Sequence, residues 1–251
     1  MNYYIITGTS RGLGESFAKQ LLQEGNTLFC ISRTENEGLM NQAREKGVSL
    51  EYIAYDLQDT TGIDNLMDQV MSAVDTATVT RMALINNAGT VAPVKPVDRS
   101  PRTAVMAALH INLAAPMLLT AAFIDRTADL SIDRRVLNIS SGAAKNPYFG
   151  WGSYCTTKAG LDMFTRCAGL EQKSQANPVK IIAVAPGIVD TAMQEKIRNT
   201  DEADFPNLHK FTEFHEKGLL TPPDAAADKV LRLFLSEEIE PGGIYDIRDA
   251  P

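Results

Sequence analysis

Two side chains capable of proton transfer, Tyr154 and Lys158, lie four residues apart. The residues after Tyr154, C-T-T-K-A-G-L-D-M-F-T-R, predict a helix, and residues at this spacing share one helix face. A free tyrosine titrates near ~10, and a neighbouring cation lowers that pKa, so the pair predicts a tuned general acid or base. Ser141 follows an apolar run and could share an oxygen with Tyr154. Tyr-x-x-x-Lys also occurs on ordinary amphipathic helices, so its context decides the interpretation.

A glycine-rich turn near the start of the chain supplies part of that context. The sequence predicts a strand at 3–6, a helix at 13–22 and a second strand at 27–32, which together form a βαβ unit. Its turn, T-G-T-S-R-G-L-G, permits a close backbone approach, and the helix N-terminus offers free N–H groups to a pyrophosphate. A glycine cluster is often only a turn, but the flanking strand and helix favour a dinucleotide site.

The end of the second predicted strand indicates which dinucleotide binds. An NAD site usually has an Asp or Glu there for the ribose 2′-hydroxyl. Here the sequence reads I-S-R-T, and Arg33 could pair with a 2′-phosphate, together with Arg11 of the glycine turn. Glu37 fits better in the first turn of a helix over 34–46, in a capping box with Thr34. We therefore predict NADP(H) rather than NAD(H).

Strands and helices alternate along the rest of the chain, which predicts an α/β fold with a parallel sheet. Asp56, at the end of the third predicted strand (50–55), is expected either to bond adenine or to cap the next helix. A long helix over 102–124 contains Asn112 and Pro116, which fit a helix interior poorly. Such a conflict often marks a functional position, with an inter-helix hydrogen bond as the plain alternative.

Composition and charge exclude several function classes. The 251 residues carry a formal net charge of −7, which argues against a nucleic-acid or anionic-membrane partner. No apolar run is expected to approach the ~20 residues of a membrane span, and the N-terminal apolar run is read as a strand rather than a signal peptide. The three cysteines have no metal-ligand spacing, which predicts reduced thiols in a cytoplasmic protein without a metal.

Several motifs, each weak alone, together resemble the short-chain dehydrogenase/reductase family. They are the T-G-x-x-x-G-x-G turn, N-N-A-G at 86–89, Asn112, Ser141, Tyr154-x-x-x-Lys158, and Pro186-Gly187 followed by Thr191. The resemblance extends over nearly the whole chain. It implies one three-layer Rossmann domain over 1–251, with a doubly wound seven-stranded parallel sheet in the order 3-2-1-4-5-6-7. It also implies an oxidoreductase that forms a homodimer.

The resemblance assigns roles to individual residues. Ser141 and Tyr154 would polarise a ketone and Tyr154 would donate the proton, while Lys158 lowers the pKa of Tyr154. Asn112 would hold a water that links Lys158 to solvent. Cofactor contacts are implied, or expected from the residues, at Gly8, Ser10, Arg11, Gly12, Leu13, Gly14, Arg33, Asp56, Leu57, Asn87, Ala88, Gly89, Tyr154, Lys158, Pro186, Gly187, Val189 and Thr191.

Aromatic side chains and methionine indicate the substrate site. A segment over 192–220 is long enough for a lid over the crevice. Its Phe205, Phe211 and Phe214 either line a pocket for a flat, partly apolar ketone or only pack the lid against the body. The expected substrate contacts are Ser141, Tyr148, Trp151, Tyr154, Met193 and Asp246.

Three stretches narrow the substrate class. G-W-G-S-Y-C-T-T-K-A, A-P-G-I-V-D-T-A-M-Q and G-G-I-Y-D-I-R-D are similar to sepiapterin reductases and their bacterial relatives that reduce benzil. The resemblance implies an aromatic vicinal dicarbonyl as substrate, with a pterin side-chain ketone as the alternative. Asp246 matches the acid that anchors the pterin in sepiapterin reductases, although its neighbours differ. The acidic chain and long lid disfavour a 3-ketoacyl-carrier-protein reductase, and the full set of catalytic residues disfavours a non-enzymatic NADP sensor.

Overall fold

Seven parallel strands form one sheet in the computed structural model, which describes residues 1–249. The order across the sheet is β3-β2-β1-β4-β5-β6-β7, so the predicted topology is confirmed. The last two positions of the predicted domain lie outside the described residues. In chain order the strands are β1 (Asn2–Thr7), β2 (Asn26–Ser32), β3 (Ser49–Ala54), β4 (Arg81–Asn86), β5 (Asp133–Ile139), β6 (Lys180–Ala185) and β7 (Gly243–Asp246).

Helices connect the strands and cover both faces of the sheet. Residues alternate between faces along β1: Tyr4 and Ile6 join one hydrophobic cluster, whereas Tyr3 and Ile5 join the other. β1, β2, β4 and β6 are therefore mainly apolar runs buried on both sides, as parallel sheets require, whereas the edge strand β3 is partly exposed. The helices are α1 (Gly12–Leu21), α2 (Glu37–Lys46), α3 (Ile63–Ser72), α4 (Arg102–Leu109), α5 (Ala115–Arg126), α6 (Gly152–Gln172), α7 (Ala192–Arg198), α8 (Leu208–Glu216) and α9 (Pro223–Leu235).

The second helix begins later than the sequence pattern predicts. α2 starts at Glu37, and the Asn36 side chain caps it by accepting a hydrogen bond from the Leu39 amide at 3.0 Å. The predicted capping box of Thr34 and Glu37 is therefore wrong. Asn36 also donates to the carbonyl of Ser10 at 3.2 Å, which ties the start of α2 to the glycine turn.

Asp56 does not cap a helix. α3 begins at Ile63, after Gly62, which is too far along the chain for the Asp56 carboxylate. Instead, Asp56 accepts a hydrogen bond from the amide of Gln58 at 3.0 Å, which closes a local turn. Of the two expectations for Asp56, helix capping is wrong.

The long central helix is interrupted where the sequence conflict occurs. Between α4 and α5 the residues His110–Ala114 form a π-helical turn that contains Asn112. π turns widen a helix locally and are frequent at functional sites. The helix over Arg102–Arg126 has a window with mean hydropathy of 1.7, so by length and composition it could cross a membrane, contrary to the expectation from sequence. Core helices of soluble proteins pass the same test, and 44% of that window is buried.

Candidate active site

The carboxyl ends of the central strands open into a cavity of about 1590 Å³. In a doubly wound sheet this edge is where ligands bind. Every residue that the sequence predicted to contact cofactor or substrate lines this cavity, from Gly8 in the glycine turn to Asp246 at the end of β7. Asn112 lies behind the wall and is fully buried.

Ser141, Tyr154 and Lys158 meet on one side of this cavity. β5 ends at Ile139 and delivers Ser141 to the rim, while the first turns of α6 present Tyr154 and Lys158 on one helical face. The Lys158 ammonium donates to the carbonyl of Ile139 at 2.7 Å and lies 5.9 Å from the centroid of the Tyr154 ring. The exposed fractions of the tyrosine and the lysine are 8% and 4%, so little solvent competes for either group.

Burial sets the protonation of the tyrosine and lysine. Burial raises the pKa of Tyr154, and the nearby Ser141 hydroxyl offsets only part of that effect. The lowering of this pKa by Lys158 stays a prediction, since the change seen here comes from burial, Ser141 and Cys155. Burial also lowers the pKa of Lys158 to about 8, against the opposing charge of Asp162. A protonated phenol is the form needed to donate a proton to a ketone oxygen.

Asn112 is fixed by three hydrogen bonds. Its Oδ1 accepts from the amide of Thr90 at 2.8 Å, and its Nδ2 donates to the carbonyl of Thr90 at 2.8 Å and to Oγ1 of Thr157 at 3.2 Å. A Cβ added to Gly89 would stand 3.4 Å from Asn112 Oδ1 and 3.8 Å from Lys158 Nζ. The glycine thus keeps a small space open between the asparagine and the lysine.

The glycine turn is shaped for close backbone approach. Gly8 has φ +75° and Gly12 has φ +62°, values that favour glycine. A Cβ on Gly14 would lie 2.2 Å from the carbonyl oxygen of Gly8 and 2.4 Å from Nδ2 of Asn87, so α1 can approach β1 and β4 only without that atom. No side chain caps the start of α1, which leaves its first amides for an anion such as a pyrophosphate. These residues fit a dinucleotide.

Positive charge marks one end of the same cavity. Arg11 and Arg33 are both exposed and line its wall beside the first turn of α1 and the end of β2. Asp56 shares this wall, after β3. The carboxylate that an NAD site places at the end of the second strand is absent there, since Ser32 is followed by Arg33.

Trp151 is the centre of an aromatic wall on the other side. Its ring stacks on Phe205 with centroids 4.8 Å apart and 15° between the planes, and it meets Tyr154 edge-on at 5.4 Å. Phe205 is fully buried and packs its segment onto the body, whereas Phe211 and Phe214 face the cavity. Phe211 also packs against Trp151 and Phe205, so packing holds for these two rings, and contact of the aromatic residues with a substrate stays a prediction. Tyr148 and Met193 also line the cavity.

The segment over 192–220, expected to be a lid, folds into α7 and α8 and is fastened at two places. At its base the amide of Thr221 donates to the carbonyl of Ile188 at 2.8 Å. In its middle the buried carboxylate of Asp204 accepts from the ammonium of Lys95 at 2.6 Å. Residues of both helices, such as Met193 and Phe211, line the cavity, and the role of the segment as a substrate lid stays a prediction.

A comparison of the sequence with models of protein families identifies the family of this chain. The model for short chain dehydrogenases matches residues 2–202. The chain belongs to the short-chain dehydrogenase family. This confirms the resemblance drawn from the motifs, and the chain is an oxidoreductase that acts on a ketone or an alcohol with a nicotinamide cofactor.

Individual relatives of this short-chain dehydrogenase span its whole length. It is 46% identical over 247 residues to a benzil reductase ((S)-benzoin forming) of Bacillus cereus, covering 98% of this chain and 99% of the relative. A protein with the same description in Bacillus subtilis (strain 168) is 39% identical, covering 99% of each chain. A sepiapterin reductase of Xenopus laevis is 34% identical over 98% of this chain and 95% of its own. The crystal structure of the KRED1-Pglu enzyme superposes with a TM-score of 0.83 at 25% identity, over 97% of this chain and 100% of that one.

Asp246 of this short-chain dehydrogenase lines the cavity but is already paired. Its Oδ1 accepts from Nε of Arg248 at 2.9 Å and from the Arg248 amide at 3.0 Å, and its Oδ2 accepts from Nη2 at 2.6 Å. These hydrogen bonds lower the pKa of Asp246 and raise that of Arg248. The expected contact between Asp246 and substrate must therefore compete with the arginine.

Sequence reasoning missed two charged residues of the site. Arg248 follows Asp246 by two positions, a spacing that places side chains on one face of an extended segment and could have indicated the pair. Asp162 follows Lys158 by four positions, the same helical spacing that drew attention to Tyr154. Asp162 is buried, which raises its pKa.

Proposed function

We propose that this chain is an NADPH-dependent carbonyl reductase that transfers hydride to one ketone of an aromatic vicinal dicarbonyl, as in the reduction of benzil to benzoin. The observation that carries the proposal is the convergence of Ser141, Tyr154 and Lys158 in a cavity with an aromatic wall. The two benzil reductases at 46% and 39% identity support the substrate class.

The mechanism follows from the chemistry of the three side chains. When bound, the nicotinamide supplies the hydride to the ketone carbon. Negative charge then grows on the ketone oxygen, where the hydroxyls of Ser141 and Tyr154 donate hydrogen bonds. Tyr154 gives its phenolic proton to that oxygen, and the ammonium of Lys158 stabilises the tyrosinate left behind. Asn112 and Lys158 border the space above Gly89, where a water would return a proton from solvent.

The preference for NADPH over NADH rests on charge at the adenosine end. Arg11 and Arg33 line the cavity near the first turn of α1 and the end of β2, and guanidinium groups suit a 2′-phosphate because they donate paired hydrogen bonds. Asp56 remains a proposed contact for adenine, since it lines that wall after β3.

Reduction of a pterin side-chain ketone is the second candidate. The sepiapterin reductase relative at 34% identity favours it, as does the position of Asp246 in the cavity wall. The pairing of Asp246 with Arg248 counts against it, because a carboxylate bound to a guanidinium has fewer free lone pairs for a pterin.

A substrate panel tests the proposal. NADPH oxidation is followed with benzil, sepiapterin, an acetoacetyl thioester and a steroid ketone, each at several concentrations. We expect the highest kcat/KM with benzil. A highest value with sepiapterin would select the second candidate, and a highest value with the thioester would indicate a carrier-protein reductase. Absence of NADPH oxidation with any ketone, despite binding of NADPH by calorimetry, would indicate a non-enzymatic sensor.

We also propose a cytoplasmic homodimer. The three cysteines are free thiols, which fits a reducing compartment. Large apolar side chains are exposed on the outer helices: Met117 and Leu118 on α5, and Met163 and Leu170 on α6, with Leu170 exposed by 71%. A second copy that packs on this face would cover them. Light scattering coupled to gel filtration measures the assembly, and a mass of one chain would contradict the proposed dimer.

A further inference from the structure

A fixed guanidinium stands at the substrate end of the cavity. Arg248 lies just after β7, and two nitrogens of its side chain donate to the buried carboxylate of Asp246 at 2.9 and 2.6 Å. Asp246 is itself held in place, since β7 pairs with β6 up to this residue. The edge of the guanidinium formed by Nε and Nη2 is thus occupied by the Asp246 carboxylate. Within residues 1–249, Nη1 donates no hydrogen bond, so the other edge is free to take a ligand.

The guanidinium lies near the residues proposed to react. Nη2 of Arg248 stands 3.7 Å from the position that a Cβ on Gly142 would take, and Gly142 directly follows Ser141. The stem of the arginine passes over Gly187, with Cγ and Cδ 3.7 and 3.9 Å from the corresponding Cβ position there. Both of these neighbours are glycines, so neither adds a side chain between the guanidinium and the cavity. Tyr148 lines the cavity next to it.

The chemistry of this arrangement indicates what it recognises. A guanidinium donates hydrogen bonds and accepts none, so its partner must be an acceptor oxygen. In the proposed mechanism, Ser141 and Tyr154 donate hydrogen bonds to the ketone oxygen that is reduced. The arginine can therefore bind a second oxygen of the substrate. We propose that Arg248 determines specificity for vicinal dicarbonyls by donating a hydrogen bond to the carbonyl oxygen adjacent to the one that is reduced. This inference rests on the proposed carbonyl reductase function and names its recognition element.

Asp246 then has an indirect role. It is a positioning residue, whose carboxylate orients the guanidinium and keeps one of its edges from the substrate. This differs from direct anchoring of the substrate by the aspartate. The two arrangements make opposite demands on the ligand, since an arginine needs an acceptor whereas a carboxylate needs a donor such as an amino group.

Paired substrates test the inference. Benzil has two adjacent carbonyl oxygens, and deoxybenzoin has the same carbon frame with only one. We expect Arg248→Met to lower the ratio of kcat/KM for benzil to kcat/KM for deoxybenzoin by about tenfold, the lower end for a hydrogen bond to a charged group, because the side chain is partly solvated. If deoxybenzoin is reduced too slowly to follow, its inhibition constant against benzil takes the place of its kcat/KM.

Two controls distinguish the specificity role of Arg248 from a general effect of removing an arginine and from direct substrate binding by Asp246. Arg232→Met removes a similarly paired arginine, bound to Asp228 on the exposed face of α9, and should leave the ratio unchanged. Asp246→Asn should have little further effect on the ratio in the Arg248→Met background, because the aspartate acts through the arginine. A full additional loss in the double variant would mean that Asp246 contacts the substrate itself, and would overturn the positioning role.

The outcomes also distinguish this inference from the proposed function. If the wild-type enzyme reduces benzil and Arg248→Met lowers both substrates equally, the arginine has only a structural role and the inference is wrong. A rise in the KM for NADPH, with the substrate ratio unchanged, would assign Arg248 to the cofactor and also overturn it. If the wild-type enzyme reduces no dicarbonyl, the proposed function fails, and the inference with it.

Discussion

The pH dependence of ketone reduction should follow the titration of Lys158. Burial lowers the pKa of this lysine to about 8, and the charge of Asp162, one turn further along α6, opposes that effect. The ammonium is the form that stabilises the tyrosinate, so activity is present below the pKa and is lost as the pH rises through it. Above pH 8 each further unit lowers the charged fraction about tenfold, and kcat/KM should fall with the same slope.

Asp162→Asn should move that fall to lower pH. Removing the carboxylate removes the charge that raises the pKa of Lys158, while the desolvation that lowers it remains. Tyr154 does not interfere, because burial raises its pKa above the ordinary range and its ionisation comes at higher pH. The other groups around the ammonium, the carbonyl of Ile139 and the amide of Asn112, do not titrate.

The assay is steady-state kcat/KM for benzil with NADPH between about pH 6 and 10, a range that brackets the Lys158 titration at about pH 8. The wild type is compared with Asp162→Asn and with Asp228→Asn, a matched change at a carboxylate on exposed α9. We expect the fall near pH 8 in the wild type and in Asp228→Asn, and at lower pH in Asp162→Asn. A wild-type profile that stays flat beyond pH 9, or an unshifted Asp162→Asn profile, would refute the reasoning.

Other substitutions give equally direct tests. Tyr154→Phe should lower kcat by about a hundredfold or more, the scale of a lost general acid, while calorimetry shows NADPH still bound; retained turnover would mean that another residue donates the proton. Arg11→Ala combined with Arg33→Ala should raise the KM for NADPH by about tenfold or more and that for NADH little, since two charged contacts to the 2′-phosphate are lost. Gly14→Ala should lower the free energy of unfolding by about 1–3 kcal/mol in urea titrations, because its Cβ would overlap the carbonyl of Gly8; an unchanged midpoint would show that the turn can widen.

The fold was predictable because local patterns agree with the global one. The strands β1, β2, β4 and β6 are short, mainly apolar runs buried on both faces, and a turn or helix follows each of them. The poor fit of Asn112 to a helix interior also has a structural explanation, because this residue lies in a π-helical turn. Helix starts were less predictable: Thr34 and Asn36 are both good caps by type, and only the contact of Asn36 with the glycine turn selects between them.

The electrostatics of the site could not be obtained from sequence. The spacing of Tyr154 and Lys158 indicates that the phenol and ammonium share a helix face, but not how deeply they are buried. Burial raises the pKa of the tyrosine, and its extent depends on the segments packed above the ring, which the spacing does not reveal. The pairing of charged side chains also depends on the folded backbone. The sequence predicts that Asp246 lies in the cavity, but its hydrogen bonds with Arg248 depend on the turn after β7.

The position of Trp151 gives the protein an intrinsic optical probe. It is the only tryptophan of the chain, so its fluorescence comes from a single place. Its ring stacks on Phe205 of the segment over 192–220 and meets the ring of Tyr154, the proposed proton donor. Tryptophan emission overlaps the absorption of reduced nicotinamide, so excitation energy passes from the indole to a nearby reduced cofactor. Cofactor loading and displacement of the covering helices can therefore be followed in the unlabelled protein, in real time, by the intensity and colour of one emission band.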